Sequence, residues 1–227
     1  MMPNRENTDI AGLWSEGFGD DPEFVSEYLG HWRGKGLGFV RREGERIVSA
    51  ADMHRFCGDI TSAGYIYGVV TAKDFRGWGL SGSIIREMLE RLYNSGEYLA
   101  MLIAADDRLS EWYMKFGFSH RATSPVELYA DGFFDFGTGD RTKNLLQYRI
   151  VNVRKYLSVY ASAYPDKAEF TIAVKDDILP ANNGVYTVGE GRADLSPSPA
   201  AEYIAVSQLF DLYPLAETRY AYTPFPG

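Results

Sequence analysis

A lone cysteine, Cys57, leaves the chain no intramolecular disulfide. That fits a reducing compartment, and a cytoplasmic protein is expected. Histidine is nearly as scarce: His31, His54 and His120 stand apart, without the histidine–carboxylate spacing of a metal site, so no metal is expected. No apolar run reaches the ~18 residues of a spanning helix, and Met1–Asn7 has no apolar stretch of a signal peptide, so no membrane partner is expected. Neither an internal repeat nor a low-complexity tract is present. Basic residues are in deficit, 23 Lys and Arg against 31 Asp and Glu, for a net charge of −8. A nucleic-acid reader is normally basic, so that class is disfavoured. The acidic balance mildly favours cationic partners such as amines or polyamines, although solubility alone accounts for it.

What the chain does have is aromatic bulk, 15% of 227 residues, enough for one large or two small cores. Thr8 or Asp9 is a cap candidate for a helix to about Phe18, and Asp20-Asp21-Pro22 starts a second, with Phe24, Val25, Tyr28, Leu29 and Trp32 at helical spacing. Residues 37–41 and 46–55 read as a hairpin around Glu43-Gly44-Glu45, and residues 64–71 as the strongest strand. Leu80, Ile84, Ile85, Met88, Leu89 and Leu92 form one stripe of a helix over 80–93. A strand at 98–104 and a helix at 109–116 follow, and three glycines and three Asp in 131–143 mark a linker. Beyond it the pattern gives a strand near 148–153, a helix at 153–163, a strand at 169–175, a hairpin at 185–188 and 192–195, and a short helix at 206–213.

The segment Arg76-Gly77-Trp78-Gly79-Leu80-Ser81-Gly82 lies between the strong strand and the striped helix. Glycine lets main-chain N–H groups approach a ligand, and a helix start adds unpaired donors and partial positive charge. The combination suits a diphosphate. Gly77, Gly79 and Gly82 satisfy the dinucleotide fingerprint G-x-G-x-x-G, with Asp106 or Asp107 as ribose acid. Arg76 and Gly79 equally satisfy R-x-x-G-x-[GA], with Ser81 in the last place. Context favours the second motif. Lys73–Arg76 intervene between strand and first glycine, and a helical pair and a hairpin precede the strand. A glycine-rich turn without a ligand is the plainest alternative.

Together with Phe18-Gly19-Asp20-Asp21-Pro22-Glu23-Phe24, Tyr65–Thr71 and Trp112-Tyr113-Met114-Lys115-Phe116-Gly117-Phe118, this turn resembles the GNAT N-acetyltransferase superfamily over Leu13 to about His120. The resemblance implies an α/β (α+β) acyl-CoA N-acyltransferase fold, a mixed, mostly antiparallel sheet flanked by helices. Tyr148–Val153 and Asp176–Tyr186 are similar to the sterol-carrier-protein-like C-terminal domain of the enhanced-intracellular-survival acetyltransferases, here without their middle domain. The organisation so implied is an acetyltransferase domain over 1–130, a linker at 131–144 and a smaller α+β domain over 145–227.

The resemblance further implies acetyl-CoA as co-substrate and a small-molecule or peptide amine as acceptor. Main-chain groups of Val69 and Thr71 would pair with the pantetheine arm, and the N–H of Val70 or Thr71 would serve the oxyanion. Arg76, Gly77, Trp78, Gly79, Leu80, Ser81 and Gly82 would hold the diphosphate, and Tyr113 would be the general acid. A base is not evident: Glu16, Asp52 and His54 are placed only roughly, and His54 reads as a strand-surface residue. Trp14, Phe18, Tyr28 and Trp32 either wall an acceptor site or pack the core, and Cys57 reads as a buried small hydrophobe. The family also suggests that a terminal carboxylate, here Gly227, reaches the site, and it admits a homo-oligomer. The competing functional class is a binding module: a degenerate acyltransferase sensing CoA, or a lipid carrier using the second half.

Overall fold

The structure, a computed structural model, describes residues 5–122, 127–129, 146–197, 202–215 and 219–225. It divides the chain into two compact units. Met1–Arg55, Tyr65–Met88 and Pro224–Gly227 belong to the first, Phe56–Gly64 and Leu89–Thr223 to the second.

In the first unit, α1 (Arg5–Gly17) is already helical at Arg5, ahead of the cap expected at Thr8 or Asp9. Burial of Ile10, Leu13 and Trp14 on one face holds it. α2 (Pro22–His31) starts where expected. Asp21 Oδ1 accepts from the N–H of Glu23 (2.8 Å) and Phe24 (3.4 Å), and Pro22 fills the first turn, where a missing N–H costs nothing. β1 (Leu37–Glu43) and β2 (Arg46–Cys57) form the expected antiparallel hairpin, with Leu37 opposite Met53 and the turn at Gly44. β3 (Ser62–Thr71) lies beside β2. β2 is buried along nearly its whole length, its polar Ser49, Asp52 and His54 included. Interior carboxylate and imidazole groups require partners, which the site supplies. α3 (Leu80–Asn94) buries Ile84, Ile85, Met88, Leu89 and Leu92 completely. Each such side chain contributes about 2 kcal/mol of apolar burial.

The second unit contains two sheets. In one, β4 (Leu99–Ile103) pairs antiparallel with β7 (Leu146–Ile150), Leu99 opposite Ile150, and β5 (His120–Arg121) takes the other edge of β7. α4 (Asp107–Met114) is capped by Asp106, whose Oδ1 accepts from Leu109 N–H at 2.7 Å. β12 (Arg219–Tyr222) pairs antiparallel with Phe56 and Cys57 and parallel with β6 (Glu127–Tyr129). The second sheet has the order β10 (Arg192–Ser196), β9 (Gly184–Gly189), β8 (Phe170–Lys175), β11 (Ile204–Ala205). α5 (Val153–Ala163) buries Val153, Tyr156, Leu157, Tyr160 and Ala161 and packs on β9 and β10. α6 (Val206–Leu212) sets Phe210 face to face with Tyr148 of β7, centroids 5.2 Å apart.

The boundary expected at 131–144 lies outside the described residues. The strand expected to open a second domain is β7, which pairs with β4. Its burial at all five positions follows from having strands on both edges and cover on both faces.

Candidate functional site

The glycine turn sits at the end of β3, where the strand is bent. Gly68 has φ +61°, and a Cβ there would lie 2.5 Å from Trp14 Cζ2, so neither the backbone nor the space tolerates a side chain. A Cβ on Gly17 of α1 would lie equally close to Val70 Cγ2. Beyond the bend a row of hydroxyls fastens strand end to helix start. Ser49 Oγ donates to Val70 O (2.9 Å) and lies 2.8 Å from Thr71 Oγ1, which is 2.6 Å from Ser81 Oγ. Ser81, the departure from the glycine or alanine of the motif, thus has a partner of its own. Arg76 Nε donates to Thr71 O at 3.1 Å, so this side chain braces the turn. Glu16 accepts from Lys73 N–H at 2.8 Å.

Gly77 (φ +89°) and Gly79 (φ +78°) are both left-handed, and a Cβ on either would meet nothing within 4 Å. The turn is therefore glycine for its backbone angles and faces open space. The first main-chain bond of α3 runs from Ser83 N–H to Gly79 O, 2.9 Å. The N–H groups of Gly77, Gly79, Leu80, Ser81 and Gly82 donate to no main-chain group among the described residues. Five N–H groups without a main-chain acceptor, at the positive end of a 15-residue helix and beside the open space at Gly77 and Gly79, fit a diphosphate. Trp78, two-thirds exposed, stands edge-on to Phe75. Val69 and Thr71 are half-buried and Val70 is buried.

The three base candidates differ sharply. Glu16 is exposed and occupied by Lys73. Asp52 and His54 are each 1% exposed, so His54 is not the surface residue its strand position suggested. β2 is covered by α2 at this point, and Tyr28 Oη donates to Asp52 Oδ2 (2.8 Å) and meets His54 Nε2 (2.9 Å). Arg33 donates to Asp52 Oδ1 and, at 3.0 Å, to Glu6, which also accepts from Arg42. Burial lowers the His54 imidazole to about 4 and, against the pull of Arg33, raises the Asp52 carboxyl. Around them Trp14 stacks on Tyr28 at 4.6 Å and meets Phe24, Phe18 and Tyr67. Trp14, Tyr28 and Trp32 are core residues, while Phe18 is 46% exposed. Tyr67 and Asp20 escaped the sequence reading. Burial raises both, and the Asp20 charge adds to the shift of Tyr67.

In the second unit Tyr113 lies on α4, 8% exposed. Its ring meets Trp112 at 4.9 Å and Phe118 at 6.1 Å, both edge to face. Its carbonyl accepts from Phe116 N–H (2.9 Å) and Phe118 N–H (3.4 Å), which closes the turn after the helix. Burial lifts the phenol well above its ordinary range, so it is protonated at neutral pH. Cys57 is only half-buried, and Thr223 Oγ1 donates to its Sγ at 3.1 Å. Of the two alternative ribose acids, Asp106 is spent as a helix cap and Asp107 lies 3.5 Å from Arg121. Gly227 lies outside the described residues. Among them no cluster of His, Cys, Asp or Glu could hold a metal ion, and no helix is long and apolar enough to cross a membrane.

A family model described as an acetyltransferase (GNAT) domain matches residues 2–121. Among solved structures, Eis1 from Mycobacterium abscessus shares 11% identity over 94% of this chain and 88% of its own, TM-score 0.66. A GCN5-related N-acetyltransferase from Kribbella flavida shares 14% over 89% and 85%, TM-score 0.61. One from Anabaena variabilis shares 14% over 92% and 88%, also at 0.61. At these identities the likeness is one of fold. No curated protein matches the sequence.

Proposed function

The chain belongs to the acetyltransferase (GNAT) domain family, and from that premise we propose that it moves an acetyl group from acetyl-CoA to a primary amine by direct attack in a ternary complex, with Tyr113 as general acid. The observation that carries the proposal is the corner after β3. Two left-handed glycines border open space there, five N–H groups of the turn and helix start make no main-chain bond among the described residues, and Arg76 bonds Thr71 O. Family members use acyl-CoA; acetyl as the acyl group and Val69, Val70, Thr71 and residues 76–82 as its holders are part of the proposal.

The reaction forms a bond from the neutral amine nitrogen to the acyl carbon, breaks the carbon–sulfur bond and leaves a thiolate that needs a proton. CoA brings the acyl group already activated, so the protein has only to position, polarise and move protons. The N–H of Val70 or Thr71 would polarise the carbonyl. A phenol raised by burial is a weaker acid than free tyrosine, so Tyr113 acts mainly by donating a hydrogen bond to the departing sulfur, with a thiol pKa of about 8.5. For the base, Asp52 and His54 are enclosed by Tyr28 and Arg33. Amine deprotonation is accordingly assigned to solvent rather than to either.

The test is CoA release with a panel of amines. Tyr113→Phe should lose about a hundredfold in kcat while binding acetyl-CoA within about twofold of the parent. No turnover on any amine, with CoA binding intact, would leave the sensor reading. A second reading, the carrier, has one observation in its favour: a groove of about 390 Å³ lined by Ile60, Lys155, Ser158, Val159, Ser162, Ala163 and Gly191. It is shallow and open, and so does not enclose an acyl chain. Likeness of the second half to a sterol carrier does not by itself bring lipid binding.

A further inference from the structure

The segment Asp176–Gly184 stood out in the sequence, yet acyl transfer gives it no part. Its structure is a polar knot inside the second unit. Asp176, 1% exposed, accepts through Oδ1 from Ile178 N–H (2.9 Å) and Leu179 N–H (3.0 Å), and through Oδ2 from Asn182 Nδ2 (2.9 Å). Asn182 reaches on to Val151 O (2.8 Å) and accepts from Val153 N–H (3.0 Å). Into this knot β7 inserts Arg149, also 1% exposed, whose Nη2 donates to both carboxylate oxygens at 3.0 and 2.8 Å. Nε and Nη1 are buried and make no hydrogen bond among the described residues. The guanidinium abuts Gly117: a Cβ there would fall 2.2 Å from Nη1 and 3.2 Å from Cζ, and Gly117 has φ +86°.

We propose that Arg149, clamped by Asp176, is a positioning residue for Tyr113, with its guanidinium as the floor on which the Tyr113–Phe118 turn rests. A buried ion pair of this kind is a poor source of stability, because desolvation consumes most of the attraction, and two unbonded donors make it poorer. What it does supply is a flat, rigid surface at a fixed height. Gly117 is shaped to lie against it, and the two N–H groups that bond Tyr113 O belong to the residues on either side of Gly117. The path from Asp176 to the phenol therefore runs through Arg149, Gly117 and the carbonyl of Tyr113. On this reading the second sheet carries no ligand for catalysis; its loop holds the acid of the first.

The inference rests on the role proposed for Tyr113, and its test separates the two. In the intact protein, Arg149→Met with Asp176→Asn removes the ion pair while the introduced amide oxygen can still accept from Ile178 and Leu179 N–H. Amide hydrogen exchange then reads the seating without reference to activity. Protection at Phe116 and Phe118 should fall at least tenfold while the amides of α5 keep theirs. In turnover, kcat should fall at least tenfold with the KM values for acetyl-CoA and amine unchanged, and adding Tyr113→Phe should bring kcat no lower than Tyr113→Phe alone. If Phe116 and Phe118 keep their protection, or kcat keeps its parent value, Arg149 is structural only and the inference is overturned. Should the pair not fold, Arg149→Lys keeps the cation without the planar fork and must show the same two losses. A parent protein inactive on every amine refutes the acyl-transfer reading instead, and the exchange data still judge the seating.

Discussion

His54 shows how much one residue's surroundings decide. The single proton of the Tyr28 hydroxyl goes to Asp52, so His54 Nε2 must donate to that same oxygen, which fixes the neutral tautomer. Burial holds the ring at about 4 against 6.5 when free. Its contribution is thus fully present above pH about 6.5 and is lost as pH falls toward 4, an amount of about 3 kcal/mol. His54→Gln should lack this dependence. In urea unfolding, the gap between parent and variant should narrow by 2–3 kcal/mol, to order of magnitude, from pH about 7.5 to about 4.5. An unchanged gap would refute the assigned protonation. Asp52, raised by burial, gains protons over the same fall and works in the opposite sense, but it is present in both proteins. Tyr113 makes a second pH prediction. Because its phenol is raised, the kcat profile should show no falling limb below pH about 10, and a limb near 9 that disappears in Tyr113→Phe would contradict the buried phenol.

Among the elements, the corner from β3 to α3 is where sequence and structure agree most closely. The glycine spacing and the change from strand to helix periodicity were both local signals, and local signals survive without knowledge of the fold. Gly79→Ala at φ +78° should cost roughly 1–2 kcal/mol in backbone strain and weaken acetyl-CoA binding about tenfold, measurable by calorimetry. Unaltered affinity would remove the corner from the cofactor site. Gly68→Ala acts on packing instead. Its Cβ would overlap Trp14 at 2.5 Å, so it should lower stability by about 2 kcal/mol or more, seen as a lower unfolding midpoint. The Ser49–Thr71–Ser81 hydroxyl row had no sequence signal, since it joins residues from three elements that only folding brings together. The early start of α1 was hidden for a related reason: the helix is held by an apolar face, Ile10, Leu13 and Trp14, whose burial only the fold decides. His54 was misread because a strand with both faces covered shows no alternation to separate inside from outside.

For the molecule as a whole, the order of elements gave the family's fold. Long-range pairing was not legible. Leu146–Ile150 is an apolar run that any sheet could accept, and nothing in its letters names β4 as its neighbour. The expected division near residue 131 would give two independent cores. In the structure β2, β3 and α3 each contribute residues to both compact units. A chain so interleaved should melt in one cooperative calorimetric transition, with calorimetric and van't Hoff enthalpies equal. Two resolved transitions would restore the simpler division.

β12 carries a last consequence, for the protein while it is being made. Residues 219–222 supply the strand between the end of β2 and β6, two segments synthesised long before it. Until the ribosome has released residue 222, the backbone of Phe56 and Cys57 has no partner on that side. A nascent chain stalled short of that point would present an open strand edge to its neighbours, and there chaperone contact or aggregation would begin.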